Sequence, residues 1–373
     1  MKKLTILLLL CMFYGAGKAQ ISVEGTAAAG MLLEHHGNMS ILARERPYAF
    51  SLGLARQTDR QSWASFYNFP RYGVSLIYLS PGDPEDIGQI YAVMSYIHFS
   101  FLKQNHYWLT PGMRAGVGIG YVTKPYDANT NYRNTVLSTH WNVGLSLDFD
   151  LEARVYKGFY LRPGIGLLHF SNGATRVPNY GINLLMASIT ARYVFGQTEE
   201  NCFLFKAPEE KNFFAPTKKR DRRTHLDLFL TGGVKENRFL FDAEKYGAGV
   251  FSVQGSYRYA SQAAVGVAAN VFYDSSEYKE ILHNNAGASL ERWQITKPGF
   301  GLNHEFFFGR LSFFAEGGVY VHLHKYSTQL TYQRFALRYA AGNLLRLHLG
   351  VKTYYYSGLA ADWIEFGLGF RVL

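Results

Sequence analysis

Between Trp141 and Val155 apolar and polar residues alternate almost without a break. Trp141, Val143, Leu145, Leu147, Phe149, Leu151, Ala153 and Val155 share one side of an extended chain, and Asn142, Ser146, Asp148, Asp150, Glu152 and Arg154 share the other. A period of two argues for a strand rather than a helix, and the length of the run narrows the kind of sheet. Strands of soluble sandwiches usually stop at about five or six residues, whereas a tilted strand that crosses a membrane needs about 9 to 11. Strand length therefore favours a membrane barrel, with lipid against the apolar face and a packed polar interior, over a soluble sandwich with a dry core.

The rest of the chain repeats the pattern. Strand candidates fall near 21–34, 46–56, 72–80, 88–103, 107–122, 137–155, 157–172 and 181–196. After the break they resume near 226–235, 247–259, 262–274, 297–308, 310–323, 328–338, 343–356 and 361–373. Aromatic residues make up 16% of the chain and glycines number 37, and no apolar run after the N-terminal segment approaches the about 18 to 20 residues of a membrane helix. The expected class is all-β: an outer-membrane antiparallel β-barrel of eight strands in residues 20–196, and a diverged second barrel-like repeat of about eight strands in 225–373. Tandem barrels are favoured over one sixteen-stranded barrel. An eight-stranded interior is just wide enough to fill with side chains, so Arg114, Arg162 and Arg192 are expected to pair inside with Asp148, Asp150 and Glu152 as a structural network.

Residues 1–19 read as a cleaved signal peptide: Lys2 and Lys3, an apolar core from Leu4 to Tyr14, then Gly17-Lys18-Ala19 in the small-x-small pattern of a cleavage site. Without the leader Cys202 stands alone, so no disulfide can staple the chain. The formal charge is +10. With export expected and the cations scattered among apolar residues, nucleic acid is a poor partner and phosphorylated lipid a better one, although basic loops also serve solubility. Residues 197–224 read as a linker carrying the basic cluster Lys218, Lys219, Arg220, Arg222 and Arg223.

Reactive side chains meet a definable surface in Leu161 to Asn183, LRPGIGLLHFSNGATRVPNYGIN. As a strand, Leu161, Pro163, Ile165, Leu167, His169 and Ser171 share the greasy face, which thus ends in a histidine and a serine. Asn183 belongs to the same face in the next strand. Unpaired polar side chains directed at lipid cost a few kcal/mol, so three converging there call for a function or for a headgroup rim where polar residues are ordinary. In the functional reading Ser171 is the nucleophile, His169 its base, Asn183 the group that fixes the imidazole tautomer, and Asn172 an oxyanion donor together with a backbone N–H of the following turn.

The segment HFSNGATRVPNYGIN resembles the signature of the PagL family, the outer-membrane lipid A 3-O-deacylases. In that family His-x-Ser-Asn ends the seventh strand, a loop containing Pro-Asn follows, and an acidic residue lies fourteen positions after the histidine. The resemblance implies an eight-stranded barrel whose lipid-facing site cleaves an ester-linked acyl chain from lipid A without a metal or other cofactor. His169 matches the base, Ser171 the nucleophile and Asn172 the oxyanion donor. At the acidic position this chain has Asn183, which cannot balance an imidazolium charge, and Gly173-Ala174 departs from the commoner order of the family's small pair. The implied substrate is lipid A or lipopolysaccharide at the bacterial outer membrane, with the acyl position left open.

Two further stretches complete the reading. Lys124-Pro125-Tyr126-Asp127, with Asn129 and Asn131, fits the extracellular loop between strands five and six; it could contact sugar or phosphate, but a turn of this composition needs no such role, and the structural reading is favoured. In the second half Leu345 to Val372 aligns with Leu161 to Phe195, but Tyr355-Tyr356-Ser357-Gly358 stands where the first half has His-Phe-Ser-Asn-Gly. Lacking the histidine, the second half is expected to be an inert repeat, with the first half sufficient for activity. The competing function is a non-catalytic barrel, either structural or pore-forming.

Overall fold

The computed structural model describes residues 20–58, 63–102, 108–196, 223–240, 242–321, 325–326, 329–355 and 359–372. The segment expected to be a leader, most of the one expected to be a linker with its basic cluster up to Arg222, and Ser357 lie outside them. The first half forms β1 (Ile21–Leu32), β2 (Tyr48–Gln57), β3 (Arg71–Ser80), β4 (Ile90–Ser100), β5 (Leu109–Val122), β6 (Trp141–Tyr156), β7 (Phe159–Ser171) and β8 (Ile182–Val194). The second forms β9 (Thr224–Lys235), β10 (Tyr246–Ala260), β11 (Ala263–Asp274), β12 (Lys297–Phe308), β13 (Leu311–Tyr320), β14 (Thr331–Ala341), β15 (Leu345–Tyr355) and β16 (Leu359–Arg371).

Neighbouring strands pair antiparallel throughout. β8 returns to β1, from Ser22↔Val194 to Leu32↔Leu184, and β16 returns to β9, from Phe366↔Gly232 to Arg371↔Asp227. The result is two separate closed barrels, which rules out a single sixteen-stranded pore. Closure leaves no sheet edge to satisfy, the condition for placing a sheet in hydrocarbon. The outward side chains suit that setting: Leu52, Leu76, Val93 and Ile165 on the first barrel and Leu230, Leu302 and Phe366 on the second are each more than half exposed.

The interiors are filled. Toward the end that carries the short turns, Arg71 grips Glu152 with two hydrogen bonds of 2.9 and 2.7 Å, and Arg192 grips it with two of 3.1 and 2.9 Å. Arg162 donates to Glu24 at 3.0 Å and lies 3.7 Å from Asp150. Arg114 donates to Ser75 Oγ at 3.0 Å and lies 3.9 Å from Glu24. His98 sits between Arg71 and Asp150. In the second barrel Arg334 donates to Glu365 and Ser252, while Lys235 and Lys352 converge on Asp362.

Toward the end that carries the long loops, the first interior turns apolar. Phe170, Leu168, Ile90, Met94, Val122, Leu184 and Met186 pack together there. A Cβ on Gly120 or on Gly144 would come within 2.6 Å of the Phe170 ring, so the two glycines make its socket. That socket has a consequence for the opposite face. With Phe170 locked inward, the pleat directs His169 and Ser171 outward.

Three details depart from the sequence expectation. The sixth strand starts at Trp141 rather than 137, because Val136 and Leu137, apolar enough to look like strand, are fully buried caps of the barrel mouth, with Leu137 N–H bonded to Asn134 Oδ1. A helix, α1 (Ser275–Asn284), interrupts the β11–β12 connection, capped by Asp274, whose carboxylate accepts Ser276 N–H. The barrels also touch. At the short-turn end Tyr67 O–H donates to Phe307 O at 3.2 Å, and the Phe308 ring packs on Tyr67 and Phe99.

Candidate active site

The β7–β8 ladder sets His169 directly opposite Asn183, and β6 sets Leu145 opposite His169 and Val143 opposite Ser171. The three polar side chains are half-buried on the outer surface at the long-loop end. Below them the outward residues of β6–β8 are apolar, including Leu145, Ile165, Leu167 and Ile189.

His169 Nδ1 lies 2.6 Å from Asn183 Oδ1, and His169 Nε2 lies 2.9 Å from Ser171 Oγ. An amide oxygen only accepts, so it holds the proton on Nδ1 and leaves the Nε2 lone pair to accept the Ser171 O–H. This is the arrangement in which a serine can be activated: a base within hydrogen-bond reach, itself oriented by a third group. Ser171, His169 and Asn183, up to fourteen positions apart in the chain, are thus brought into one hydrogen-bonded line.

A fourth member of this line was not found in the sequence. Asn183 Nδ2 donates to His35 Nδ1 at 3.2 Å, and His35 Nε2–H donates to the Tyr180 carbonyl at 3.0 Å. With the His35 proton on Nε2, the Asn183 oxygen and NH2 serve different rings, and this tautomer favours the amide orientation that presents the oxygen to His169. The signal lay in the barrel closure: Leu32 pairs with Leu184, and Leu33 N–H donates to Asn183 O at 2.8 Å, so the residues just after β1 must lie over Asn183. His36 follows, its ring centroid 4.2 Å from that of Tyr180. It is held below the ordinary histidine range, first by its partial burial and then by the charges of His35 and Arg238.

Asn172 departs from the role expected of its side chain. It is buried, and its NH2 donates to Ser138 Oγ and to Arg176 O, both at 2.9 Å. One amide proton ties the 172–181 loop to the 123–140 loop and the other closes the 172–181 loop on itself, so neither faces an incoming carbonyl. Its backbone N–H is also engaged, donating to Asn179 Oδ1 at 3.2 Å. The next two residues, Gly173 and Ala174, both have φ of +63°, and their N–H groups find no acceptor among the described residues.

The loop around Lys124 is a structural support, as expected of its composition. Asp127 Oδ1 accepts from the backbone N–H and the hydroxyl of Thr130 and from the backbone N–H of Asn129, which lowers its carboxyl pKa, and Asn131 and Asn134 donate to nearby carbonyls. This loop supplies Ser138 to Asn172, and Thr135 O and Val136 O to the N–H groups of Tyr180 and Gly181. Among the described residues no group of three or more His, Cys, Asp or Glu side chains is placed to hold a metal ion.

Comparison with known proteins bears on both barrels. Residues 49–192 match the family described as Lipid A 3-O-deacylase (PagL), and residues 224–373 match the family described as Acyloxyacyl hydrolase, C-terminal domain. None of the curated proteins matches. Among solved structures, the outer membrane enzyme PagL is 18% identical with a TM-score of 0.32, covering 46% of this chain and 98% of its own. Neisserial surface protein A is 11% identical with a TM-score of 0.33, covering 48% of this chain and 99% of its own. A mutant of Rhodopseudomonas blastica porin is 10% identical with a TM-score of 0.19, covering 94% of this chain and 99% of its own.

Proposed function

We propose that this chain, which belongs to the lipid A 3-O-deacylase (PagL) family, is an outer-membrane serine esterase that removes an ester-linked acyl chain from lipid A. The observation that carries the reading is the Ser171–His169–Asn183 line on the outward face, directly above an apolar belt. An acylated glycolipid embedded in the outer leaflet would lay its chain along Leu167 and Ile165, and its ester would meet Ser171 at the level where hydrocarbon gives way to headgroups.

The chemistry follows from the hydrogen bonds. Ser171 Oγ attacks the ester carbonyl carbon while His169 Nε2 takes its proton, and the Nδ1–H stays on Asn183 Oδ1. Collapse of the tetrahedral intermediate breaks the bond to the sugar oxygen, which receives the proton back from Nε2. Water, deprotonated by the same nitrogen, then releases the fatty acid and restores Ser171. With the Asn172 amide engaged, the donors left for the developing oxyanion are the N–H groups of Gly173 and Ala174 and the NH2 of Asn179, whose oxygen is already taken. Asn183 orients the ring but lends no negative charge to the imidazolium, so the dyad works with a weaker third member than a carboxylate would provide.

The test is the acyl content of lipid A. Mass spectrometry of lipid A exposed to the wild-type chain should show the loss of one acyl-chain mass, and Ser171→Ala should show none.

A further inference from the structure

The loop that follows Ser171 is held from two sides. On one side is its own barrel, through Ser138, Thr135 and Val136. On the other is the second barrel. Glu236, the residue immediately after β9, donates its backbone N–H to Ala174 O at 2.9 Å and accepts Val177 N–H on Oε2 at 2.7 Å. Its other oxygen takes Lys245 Nζ at 2.6 Å, and Lys245 also donates to Thr175 O.

This contact is enclosed. Glu236 is 5% exposed and Ala174 is 4% exposed. Gly173 lies against Ile364 of β16, where a Cβ would come within 2.4 Å of the isoleucine, and its φ of +63° disfavours any other residue. A carboxylate that accepts from a backbone N–H and a lysine at once makes charge-assisted bonds, stronger than neutral ones. Ala174 O, Thr175 O and Val177 N–H, in the segment that carries the Gly173 and Ala174 N–H groups, therefore take their partners from the other barrel.

We propose that the second barrel is a working part of the esterase site, with Glu236, supported by Lys245, as a positioning residue that fixes the 172–177 backbone so that its N–H groups face the ester carbonyl oxygen. The proposal rests on the assignment of Ser171 and His169. The second barrel carries no His-x-Ser pair of its own in β15, yet the expectation that the first half suffices does not fit a loop clamped from both sides. Donors of this kind act only when held in place before the charge develops, and freeing one side of the loop lets them drift.

The experiment uses the full-length chain in detergent with purified lipid A as substrate, and counts active molecules by covalent labelling of Ser171 with a fluorophosphonate. Glu236→Ala should lower kcat per labelled molecule by about 10- to 100-fold, the scale of a misplaced catalytic geometry, with KM little changed. Glu236→Gln, whose carbonyl can still accept Val177 N–H, should recover much of the loss. If Glu236→Ala does not fold, Lys245→Met decides: a lowered kcat in folded protein supports the proposal, and an unchanged kcat overturns it. Folded Glu236→Ala that turns over at the wild-type rate, or loses activity only as folded molecules are lost, overturns it while leaving the esterase intact. Wild-type activity in Ser171→Ala would overturn both.

Discussion

His169 and Asn183 stand directly opposite one another across the β7–β8 ladder, and the Asn183 amide oxygen lies 2.6 Å from the imidazole Nδ1. An acceptor in that position selects the tautomer in which Nε2 is free to take the serine proton. Asn183→Ala should therefore lower kcat by about 10-fold or more, the scale seen when an orienting partner is lost. Asn183→Glu should keep or raise kcat, because a carboxylate orients the ring and also stabilises its charged form. Steady-state kinetics of both variants on purified lipid A check this.

His35 secures the same amide from behind. Without it the Asn183 side chain is free to rotate and present its NH2 to Nδ1, which favours the tautomer that cannot accept from Ser171. His35→Ala should lower kcat by about three- to tenfold. A carboxylate has no wrong way round, so in an Asn183→Glu background the same change should cost much less. The measurement is a double-mutant cycle, and the predicted result is strong non-additivity.

The fold was legible because a barrel writes itself locally. The alternation from Trp141 to Val155 and its counterparts set the class, the number of strands and the side facing lipid. His169 and Ser171 were legible for the same reason, since residues two apart on one strand must share a face. What escaped notice depends on contacts between distant segments. His35 reaches Asn183 only through the β1–β8 closure, and Glu24 and Arg71 join the interior network from strands far from β6. Asn172 misled in the other direction: its neighbour Ser171 faces out, so Asn172 turns inward, where Ser138 and Arg176 claim its amide. Glu236 belongs to the other barrel, and nothing in its local sequence points to the loop it holds.

The interior network should govern stability rather than chemistry. Arg162 is buried between Glu24, Asp150 and Glu152, and replacing it by methionine takes from Glu24 the cation it is hydrogen-bonded to, leaving Arg114 at 3.9 Å, while Glu152 keeps Arg71 and Arg192. Breaking a buried pair in this way costs about 3–5 kcal/mol. Arg162→Met should lower the midpoint of urea unfolding in lipid vesicles, while kcat per folded molecule stays near the wild-type value.

Two filled barrels leave no water path. The full-length chain in planar bilayers should give no stepwise ion conductance, in contrast to the pore reading of the same strand pattern. Steady, salt-dependent conductance steps would show that at least one interior opens.

The most direct test of the account is mass spectrometry of lipid A from otherwise identical cells expressing the wild-type chain, Ser171→Ala or His169→Ala, with all three verified as folded by heat-modifiable electrophoretic mobility. The wild type should remove the mass of one acyl chain, and both variants should leave lipid A unchanged. Removal of that chain by Ser171→Ala at the wild-type rate would contradict the assignment of the nucleophile and, with it, the esterase mechanism built on this site.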